Sequence, residues 1–190
     1  MGMYDEDDGV DQYLELAEGY DGAELVEILA RHVDPGATVL ELGMGPGKDL
    51  ALLHAAGLRP TGSDASQVFL RRYREGGGTL PTLWLDACTL DTDERFDAIY
   101  SNKVLQHLTH EQLRQSLSRQ AEVVRPGAVL LHALWYGQEQ ERCQGLLFTQ
   151  HDERSIAKLL PPSLEQVEHA RYAEMADGDS LWVLLRRRAD

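Results

Sequence analysis

Four short segments carry the residues whose types and spacing could do chemistry, and each follows an apolar or β-branched run. The first places an acid and three alternating glycines after Thr38-Val39-Leu40. Glycines adopt backbone angles that other residues resist, and they let a ligand approach the main chain closely. The other segments offer groups that accept or donate hydrogen bonds. The residues concerned are Glu41, Gly43, Met44, Gly45 and Gly47; Asp64 and Ala65; Asp86 and Ala87; and Ser101 and Asn102.

The glycine spacing argues against two common phosphate-binding loops. A P-loop needs a glycine five residues before its Gly-Lys pair and Ser or Thr after it, but Leu42 and Asp49 hold those places. A dinucleotide fingerprint needs G-x-G-x-x-G, which would put its third glycine at Lys48 rather than at Gly47. The segment still indicates a strand, a tight turn and a helix N-terminus, whose bare N–H groups face a ligand. An ordinary βα turn is the alternative.

The elements that must position these segments alternate along the chain. Apolar runs predict strands at 38–42, 58–62, 82–85, 96–100 and 128–135. Helical spacing or caps predict helices at 13–18, 23–32, 49–56, 65–74, 109–124 and 149–160, and two closing strands are predicted at 166–174 and 181–186. This alternation predicts an α/β fold with a parallel sheet, in which the four segments meet at one edge.

Two acids follow the second and third strands. Asp64 comes 23 residues after Glu41, where a βαβ nucleotide site has its ribose, and a carboxylate there can accept from both hydroxyls. Capping of the next helix is the alternative role. Asp86 could accept from an adenine amino group while the Ala87 N–H donates, or it could be a solvent-exposed turn acid.

The fourth strand and its loop make the pattern specific. Phe96-Asp97 introduces the strand, and Ser101-Asn102, Val104-Leu105 and His107 follow it. Together with the turn Arg125-Pro126-Gly127, these motifs resemble the class I S-adenosylmethionine-dependent methyltransferases, in particular the small single-domain members of methyltransferase types 11 and 12. The resemblance covers about residues 20–188, and the motifs occur in family order.

The resemblance implies a Rossmann-like, doubly wound, seven-stranded sheet. The sheet would be mostly parallel with an antiparallel last strand and helices on both faces. It also implies S-adenosylmethionine as cofactor, S-adenosylhomocysteine as product, and methyl transfer to an unidentified small-molecule acceptor. A non-catalytic S-adenosylmethionine-binding partner or regulatory protein is the alternative.

Site roles follow from the same resemblance. Glu41 would take the amino group of the cofactor, directly or through water, or it would orient the turn. The glycines would bring the main chain against the cofactor, and Met44 could pack on it or be filler. Asp64 and Ala65 would lie at the ribose, Asp86 and Ala87 at the adenine, and Ser101 and Asn102 at the methionine portion. His107 is the candidate general base, with capping or packing as its alternative role. Aromatic residues that could wall an acceptor pocket are Tyr13, Tyr20, Trp135 and Tyr136.

Composition limits the remaining function classes. A chain of 190 residues predicts one domain, with an acidic, partly mobile segment at 1–20 and a core at 21–188. The net charge of −14, from 32 acids against 18 bases, disfavours nucleic-acid and anionic-membrane partners. Neither a signal peptide nor a membrane-spanning run is expected, so a cytoplasmic protein with reduced Cys88 and Cys143 is predicted. The histidine spacing predicts no metal site.

Overall fold

A computed structural model describes residues 7–16, 19–143 and 145–189. The strands are β1 (Thr38–Leu42), β2 (Arg59–Asp64), β3 (Thr82–Trp84), β4 (Phe96–Asn102), β5 (Val124–Trp135), β6 (Gln140–Cys143), β7 (Leu146–Thr149), β8 (Leu164–Tyr172) and β9 (Ser180–Arg187). The α-helices are α1 (Asp7–Leu16), α2 (Ala23–Ala30), α3 (Lys48–Ala55), α4 (Gln67–Glu75), α5 (His110–Val123) and α6 (Glu153–Leu159), and a 3₁₀ turn spans Leu105–His107.

Seven strands form one sheet in the order β3-β2-β1-β4-β5-β9-β8. The strands from β3 to β5 pair in parallel, whereas β9 lies antiparallel to both β5 and β8. The predicted mostly parallel sheet with an antiparallel last strand is therefore confirmed. The strand order reverses between β1 and β4, which is where open α/β sheets form a ligand crevice at the strand ends.

Side chains alternate between the two faces of the sheet and build a core on each. On one face Leu40, Ile99 and Leu130 pack with Leu113 and Leu117 of α5. On the other face Val39, Tyr100 and Leu131 pack with Leu25 and Leu29 of α2 and with Leu53 of α3. Burial on both faces explains why β5 and β9 contain nearly continuous apolar runs rather than alternating ones. Helices therefore cover both faces, as predicted.

The N-terminal helix differs from the sequence prediction. A helix was expected over 13–18, whereas α1 begins at Asp7 and ends at Leu16; residues 1–6, 17 and 18 lie outside the described residues. The reason is tertiary contact, because Val10 is fully buried against Val68 and Phe69 of α4. Asp7 and Asp11 also pair with Arg72 of α4. The acidic composition of this segment predicts only a solvated chain, whereas in the structure Asp7 and Asp11 form ion pairs with α4.

A second difference is the hairpin of β6 and β7, which was not predicted. The predicted helix at 149–160 is shorter than expected, because Thr149 pairs with Gln140 in the hairpin and α6 begins only at Glu153. Asp152 caps α6 in a reciprocal capping box with Ser155. None of the helices in the described part of the chain is long and apolar enough to cross a membrane.

Candidate functional site

The ends of the central strands bring the four polar segments together. Leu42 of β1 is in register with Ser63 of β2 and with Ser101 of β4. Asn102 is in register with Ala133 of β5, and Asp64 with Trp84 of β3. Because these strands are parallel, the residues that follow them all emerge at the same edge. The sequence-based expectation that the segments share one edge is confirmed.

The turn after β1 uses three left-handed backbone positions. Gly43, Gly45 and Gly47 have φ angles of 65°, 50° and 83°. A Cβ on Gly43 would lie 2.5 Å from Cγ2 of Val104, so the β1 turn and the β4 loop touch there. Gly47 is the N-cap of α3, and a Cβ on it would meet the ring of Tyr73 at 2.7 Å. Close packing and backbone conformation both require glycine here.

Glu41 is a buried acid at the end of β1. Its side chain is 3% exposed, and Oε2 has no hydrogen-bond partner. Burial raises the pKa of Glu41 well above its usual range, and the charges of Asp49 and Asp64 add to this rise. A buried polar atom without a partner is costly unless a ligand satisfies it.

Asp49 is a site residue that the sequence interpretation missed. It lies in the first turn of α3 and is 8% exposed. Its Oδ1 accepts from the Gly22 N–H at 2.8 Å, and its Oδ2 accepts from the Tyr100 hydroxyl at 2.7 Å and from Nδ2 of Asn102 at 3.1 Å. An acid in a first helical turn suggests only an interaction with the helix dipole. The available signal was its spacing of four from Leu53, which puts it on the buried stripe.

Asp64 stands at the end of β2, as the sequence predicts. Its Oδ2 accepts from the Gly45 N–H at 2.9 Å and its Oδ1 from the Ser66 N–H at 2.8 Å. Burial raises the pKa of Asp64, and these two backbone hydrogen bonds oppose the rise. Each carboxylate oxygen keeps a second lone pair for a further donor. The carboxylate therefore both fixes the glycine turn and can receive a ligand hydroxyl.

The third strand, β3, contributes an exposed aromatic residue next to Asp64. Trp84 is 69% exposed, and its Nε1–H donates to the carbonyl oxygen of Ala65 at 2.9 Å. Asp86 is exposed and its Oδ1 accepts from the Cys88 N–H at 2.6 Å. Ala87 is half-buried, and its carbonyl oxygen accepts from Ser116. Asp86 and Ala87 thus lie at the strand end where they were expected, and Trp84 was not anticipated.

Two predicted side chains point elsewhere. Ser101 is fully buried, and its Oγ is 2.8 Å from Nδ1 of His132 between β4 and β5. Met44 is 3% exposed and packs in the core with Leu50 and Leu70. The Met44 side chain thus takes the alternative role of core filler, because it occupies the space above Gly62. For both residues only the main chain is left to face the strand edge.

Asn102 contributes its side chain to the site. Its amide nitrogen donates to Asp49, and its Oδ1 is buried without a partner. Together with Oε2 of Glu41, this makes two unsatisfied buried acceptors at the ends of neighbouring strands.

His107 is held in the loop after β4 by the unpredicted hairpin. Its Nδ1 lies 2.7 Å from the carbonyl oxygen of Leu147, and its ring packs edge-on against Phe148 at 4.8 Å. A carbonyl can only accept, so Nδ1 carries the proton and Nε2 has the lone pair in the neutral ring. Burial lowers the pKa of His107, which favours that neutral ring.

Lys103 fills the space between β4 and the antiparallel strands. Its residue adopts a φ of 56°, and its ammonium lies 2.7 Å from Glu174 and 3.8 Å from the centre of the Trp135 ring. Its Nζ also donates to Oγ of Ser180 at 2.6 Å. Burial lowers the pKa of Lys103, while the ion pair with Glu174 opposes that change. Lys103 thus fastens the ends of four strands.

A cleft of about 210 Å³ opens beside Asn102. The segment before α2 lines it through Tyr20, and the antiparallel strands line it through Tyr172 and Trp182. Of the other aromatic candidates, Tyr136 lies under the guanidinium of Arg171 at 3.3 Å. The Tyr13 side chain lies outside what the structure describes.

The arrangement favours a ligand of a particular chemistry. Three carboxyl groups meet here, those of Glu41, Asp49 and Asp64, and their crowding adds to the rise in the pKa of Glu41 that burial causes. Oε2 of Glu41 and Oδ1 of Asn102 are buried without hydrogen-bond partners. Such a site suits a ligand that carries positive charge and hydroxyl groups. Among the described residues, no group of His, Cys, Asp and Glu side chains could hold a metal ion.

Comparisons with known proteins find similar sequences among methyltransferases. A family model described as a methyltransferase domain matches residues 39–127. A trans-aconitate 2-methyltransferase of Azoarcus sp. (strain BH72) is 35% identical over 123 residues, which are 63% of this chain and 47% of that protein. A protein in a transposon of Streptomyces fradiae is 31% identical over 125 residues, or 62% of this chain and 34% of that protein. The chain therefore spans between a third and a half of the length of these curated relatives.

The fold is also shared with solved structures. The crystal structure of Burkholderia thailandensis 1,6-didemethyltoxoflavin-N1-methyltransferase superposes with a TM-score of 0.78 at 21% identity. The match covers 96% of this chain and 85% of that one. That structure contains 1,6-didemethyltoxoflavin and S-adenosylhomocysteine. At this level of identity the likeness concerns the fold.

Proposed function

We propose that the chain is a class I S-adenosylmethionine-dependent methyltransferase, which binds S-adenosylmethionine and transfers its methyl group to a small-molecule acceptor. The observation that carries this proposal is the pair of buried, unpartnered acceptors, Oε2 of Glu41 and Oδ1 of Asn102, beside the glycine turn. The cofactor carries an ammonium group and a sulfonium, which are the charges that such acceptors would satisfy.

The remaining site residues would each bind a different part of the cofactor. Asp64 would accept from the ribose hydroxyls with its free lone pairs, while its two backbone hydrogen bonds keep it in place. Asp86 and the Ala87 N–H would bind the edge of the adenine. Trp84, exposed and anchored by its indole N–H, would offer its ring to the adenine face.

When bound, the cofactor supplies an activated methyl on a sulfonium, and the transfer is an in-line displacement. This chain's own task is alignment, which can lower such a barrier by about 7–11 kcal/mol. His107 would accept a proton from an acceptor that must lose one, through Nε2 of the neutral ring. That step adds about 10²–10⁴-fold.

The acceptor would bind in the cleft beside Asn102. That cleft holds about 210 Å³, which suits a small molecule or one end of a larger one. Its lining includes the aromatic residues Tyr20, Tyr172 and Trp182 and the acids Asp21, Glu24 and Glu174. Flat rings of this kind pack on apolar or cationic acceptor groups. Two of the similar proteins also bear names of enzymes that act on small molecules, trans-aconitate and 1,6-didemethyltoxoflavin.

Turnover tests the proposal directly. Purified protein is incubated with S-adenosylmethionine and panels of small carboxylic acids, amines and phenols, and formation of S-adenosylhomocysteine is measured. We expect at least one panel to give product above the acceptor-free rate, and His107→Gln to lower kcat while cofactor affinity is kept. Tight cofactor binding without turnover on any acceptor would instead favour a non-catalytic cofactor-binding protein.

A further inference from the structure

Asp49 is the most highly connected acid of the site, although it belongs to none of the four polar segments. Three donors from three separate parts of the chain converge on its carboxylate: the Gly22 N–H, the Tyr100 hydroxyl and Nδ2 of Asn102. The first donor lies in the segment before α2, and the other two lie on β4. A carboxylate only accepts, so the direction of all three hydrogen bonds is fixed.

This directionality determines which end of the Asn102 amide meets a ligand. Because Nδ2 must face Asp49, Oδ1 must face away from it, and Oδ1 is the buried atom that has no partner. An acceptor suits the ammonium group in the amino-acid portion of S-adenosylmethionine, whereas an NH₂ group has no lone pair to accept a hydrogen bond from it. The orientation of the Asn102 amide therefore depends on the charge state and identity of residue 49.

The hydrogen bond from the Gly22 N–H ties the wall of the acceptor cleft to the same carboxylate. Gly22 approaches so closely that a Cβ there would overlap the Tyr100 hydroxyl and the Asp49 carboxylate. Tyr20 and Asp21, directly before Gly22, line the cleft. Asp49 thus links the cofactor side of the edge to the acceptor side.

On the basis of the function proposed above, we propose that Asp49 is a positioning residue that acts through Asn102. It holds the Asn102 amide with its oxygen towards the amino-acid portion of the cofactor and fastens the segment at 20–22 beside it. Asp49 itself need not touch the cofactor.

Substitution by asparagine gives a specific consequence. In Asp49→Asn, Oδ1 still accepts from Gly22, but the new NH₂ group faces the NH₂ group of Asn102. The Asn102 amide must then turn over, which presents a donor to the cofactor. The swapped pair Asp49→Asn with Asn102→Asp restores the match, since the carboxylate introduced on β4 accepts from the new amide with one oxygen and offers the other to the ligand.

The test is calorimetric titration with two probes, S-adenosylmethionine and methylthioadenosine, which lacks the amino-acid portion. We expect Asp49→Asn to weaken S-adenosylmethionine binding about 10–100-fold, as for a lost charge-assisted hydrogen bond. Methylthioadenosine binding should change less than about twofold, and the swapped pair should recover most of the S-adenosylmethionine affinity. In an Asn102→Ala background, Asp49→Asn should have little further effect, because Asp49 acts through Asn102.

Three results would overturn the inference. Equal weakening of both probes by Asp49→Asn would mean that the residue only supports the fold, and unchanged S-adenosylmethionine affinity would mean that the amide orientation is set elsewhere. If Asp49→Asn folds poorly by circular dichroism, the swapped pair decides, and its failure to bind S-adenosylmethionine would count against the inference. Native protein that binds neither probe would instead refute the proposed function itself.

Discussion

The contact between Gly43 and Val104 allows a sharp test of how the site is assembled. In Gly43→Ala the new methyl carbon would lie 2.5 Å from Cγ2 and 2.8 Å from Cγ1 of Val104. Carbon atoms pack best at about 3.5–4.0 Å, so the β1 turn and the β4 loop must separate by about 1 Å. Val104 follows Asn102 and Lys103, and the displacement therefore reaches the residues that would hold the methionine portion.

Two energetic consequences must be separated. An alanine at a left-handed φ costs about 1–2 kcal/mol of stability wherever it stands. The matched control is Gly57→Ala, because Gly57 has a φ of 82° and nothing within 4 Å of its added Cβ. We expect Gly57→Ala to lose stability by this amount and Gly43→Ala to lose more, because its collision with Val104 adds an overpacking cost. Only Gly43→Ala should bind S-adenosylmethionine about 10–100-fold more weakly, since a shift of about 1 Å can cost about 10²-fold at a reacting centre.

The assay combines urea unfolding with calorimetric titration for each variant. Adding Val104→Ala removes both colliding methyl groups, so the double variant should recover a large part of the lost affinity. Equal affinity losses in Gly43→Ala and Gly57→Ala would refute the reasoning, because backbone strain alone would then explain them. Native-like affinity in Gly43→Ala would also refute it.

Three further predictions concern residues around the site. Trp84→Ala should weaken S-adenosylmethionine binding about tenfold, which is the low end for the stacking of a base on an aromatic ring. The cofactor should quench the tryptophan fluorescence of the native protein but not that of the variant. Equal affinity in the two proteins would exclude stacking. Lys103→Met leaves the partly buried Glu174 carboxylate without its cation, so urea unfolding should show a free energy of unfolding lower by about 3 kcal/mol. Adding Glu174→Gln should reduce that loss, and a larger loss in the double variant would contradict the prediction. Burial lowers the pKa of His132 to about 3 and that of His151 to about 4. Below pH 6.5 the unfolded chain therefore binds more protons than the folded chain, and the free energy of unfolding falls as the pH is lowered. The fall is about 1.4 kcal/mol per pH unit for each histidine. His132→Gln should reduce that slope by one such contribution between about pH 6.5 and 4.5, and an unchanged slope would show that His132 is not held neutral.

The sheet could be predicted from the sequence because its signals are local. Apolar runs predict the strands, and the glycine turns between them predict where the strands end. The seven predicted strands begin and end within two residues of the observed ones, except that β5 begins at Val124, four residues before its predicted start. The hairpin of β6 and β7 was missed because its strands are short and one of them, Gln140–Cys143, is wholly exposed and polar. The start of α1 depends on α4, a contact that no local pattern reveals.

The site could be predicted less completely, for two physical reasons. The strand ends were predicted correctly, but the side chains along a strand alternate between the two faces of the sheet. Ser101 therefore faces the opposite side of the sheet from Tyr100 and Asn102, and it pairs with His132. Asp49 was predicted only as the first residue of the helix at 49–56, because its role depends on Gly22 and Tyr100, which lie 27 and 51 residues away in the chain. Hydrogen bonds between distant segments carry no signal in one sequence.

The most direct measurement of the central claim is calorimetric titration of the native protein with S-adenosylmethionine and with S-adenosylhomocysteine, alongside Asp64→Ala. We expect micromolar binding of both ligands to the native chain and at least about tenfold weaker binding to the variant, the effect of one charge-assisted hydrogen bond. Circular dichroism of the variant checks that the turn held by Asp64 is still folded. Absence of binding by folded native protein would contradict the proposed cofactor site and direct the search to protein partners.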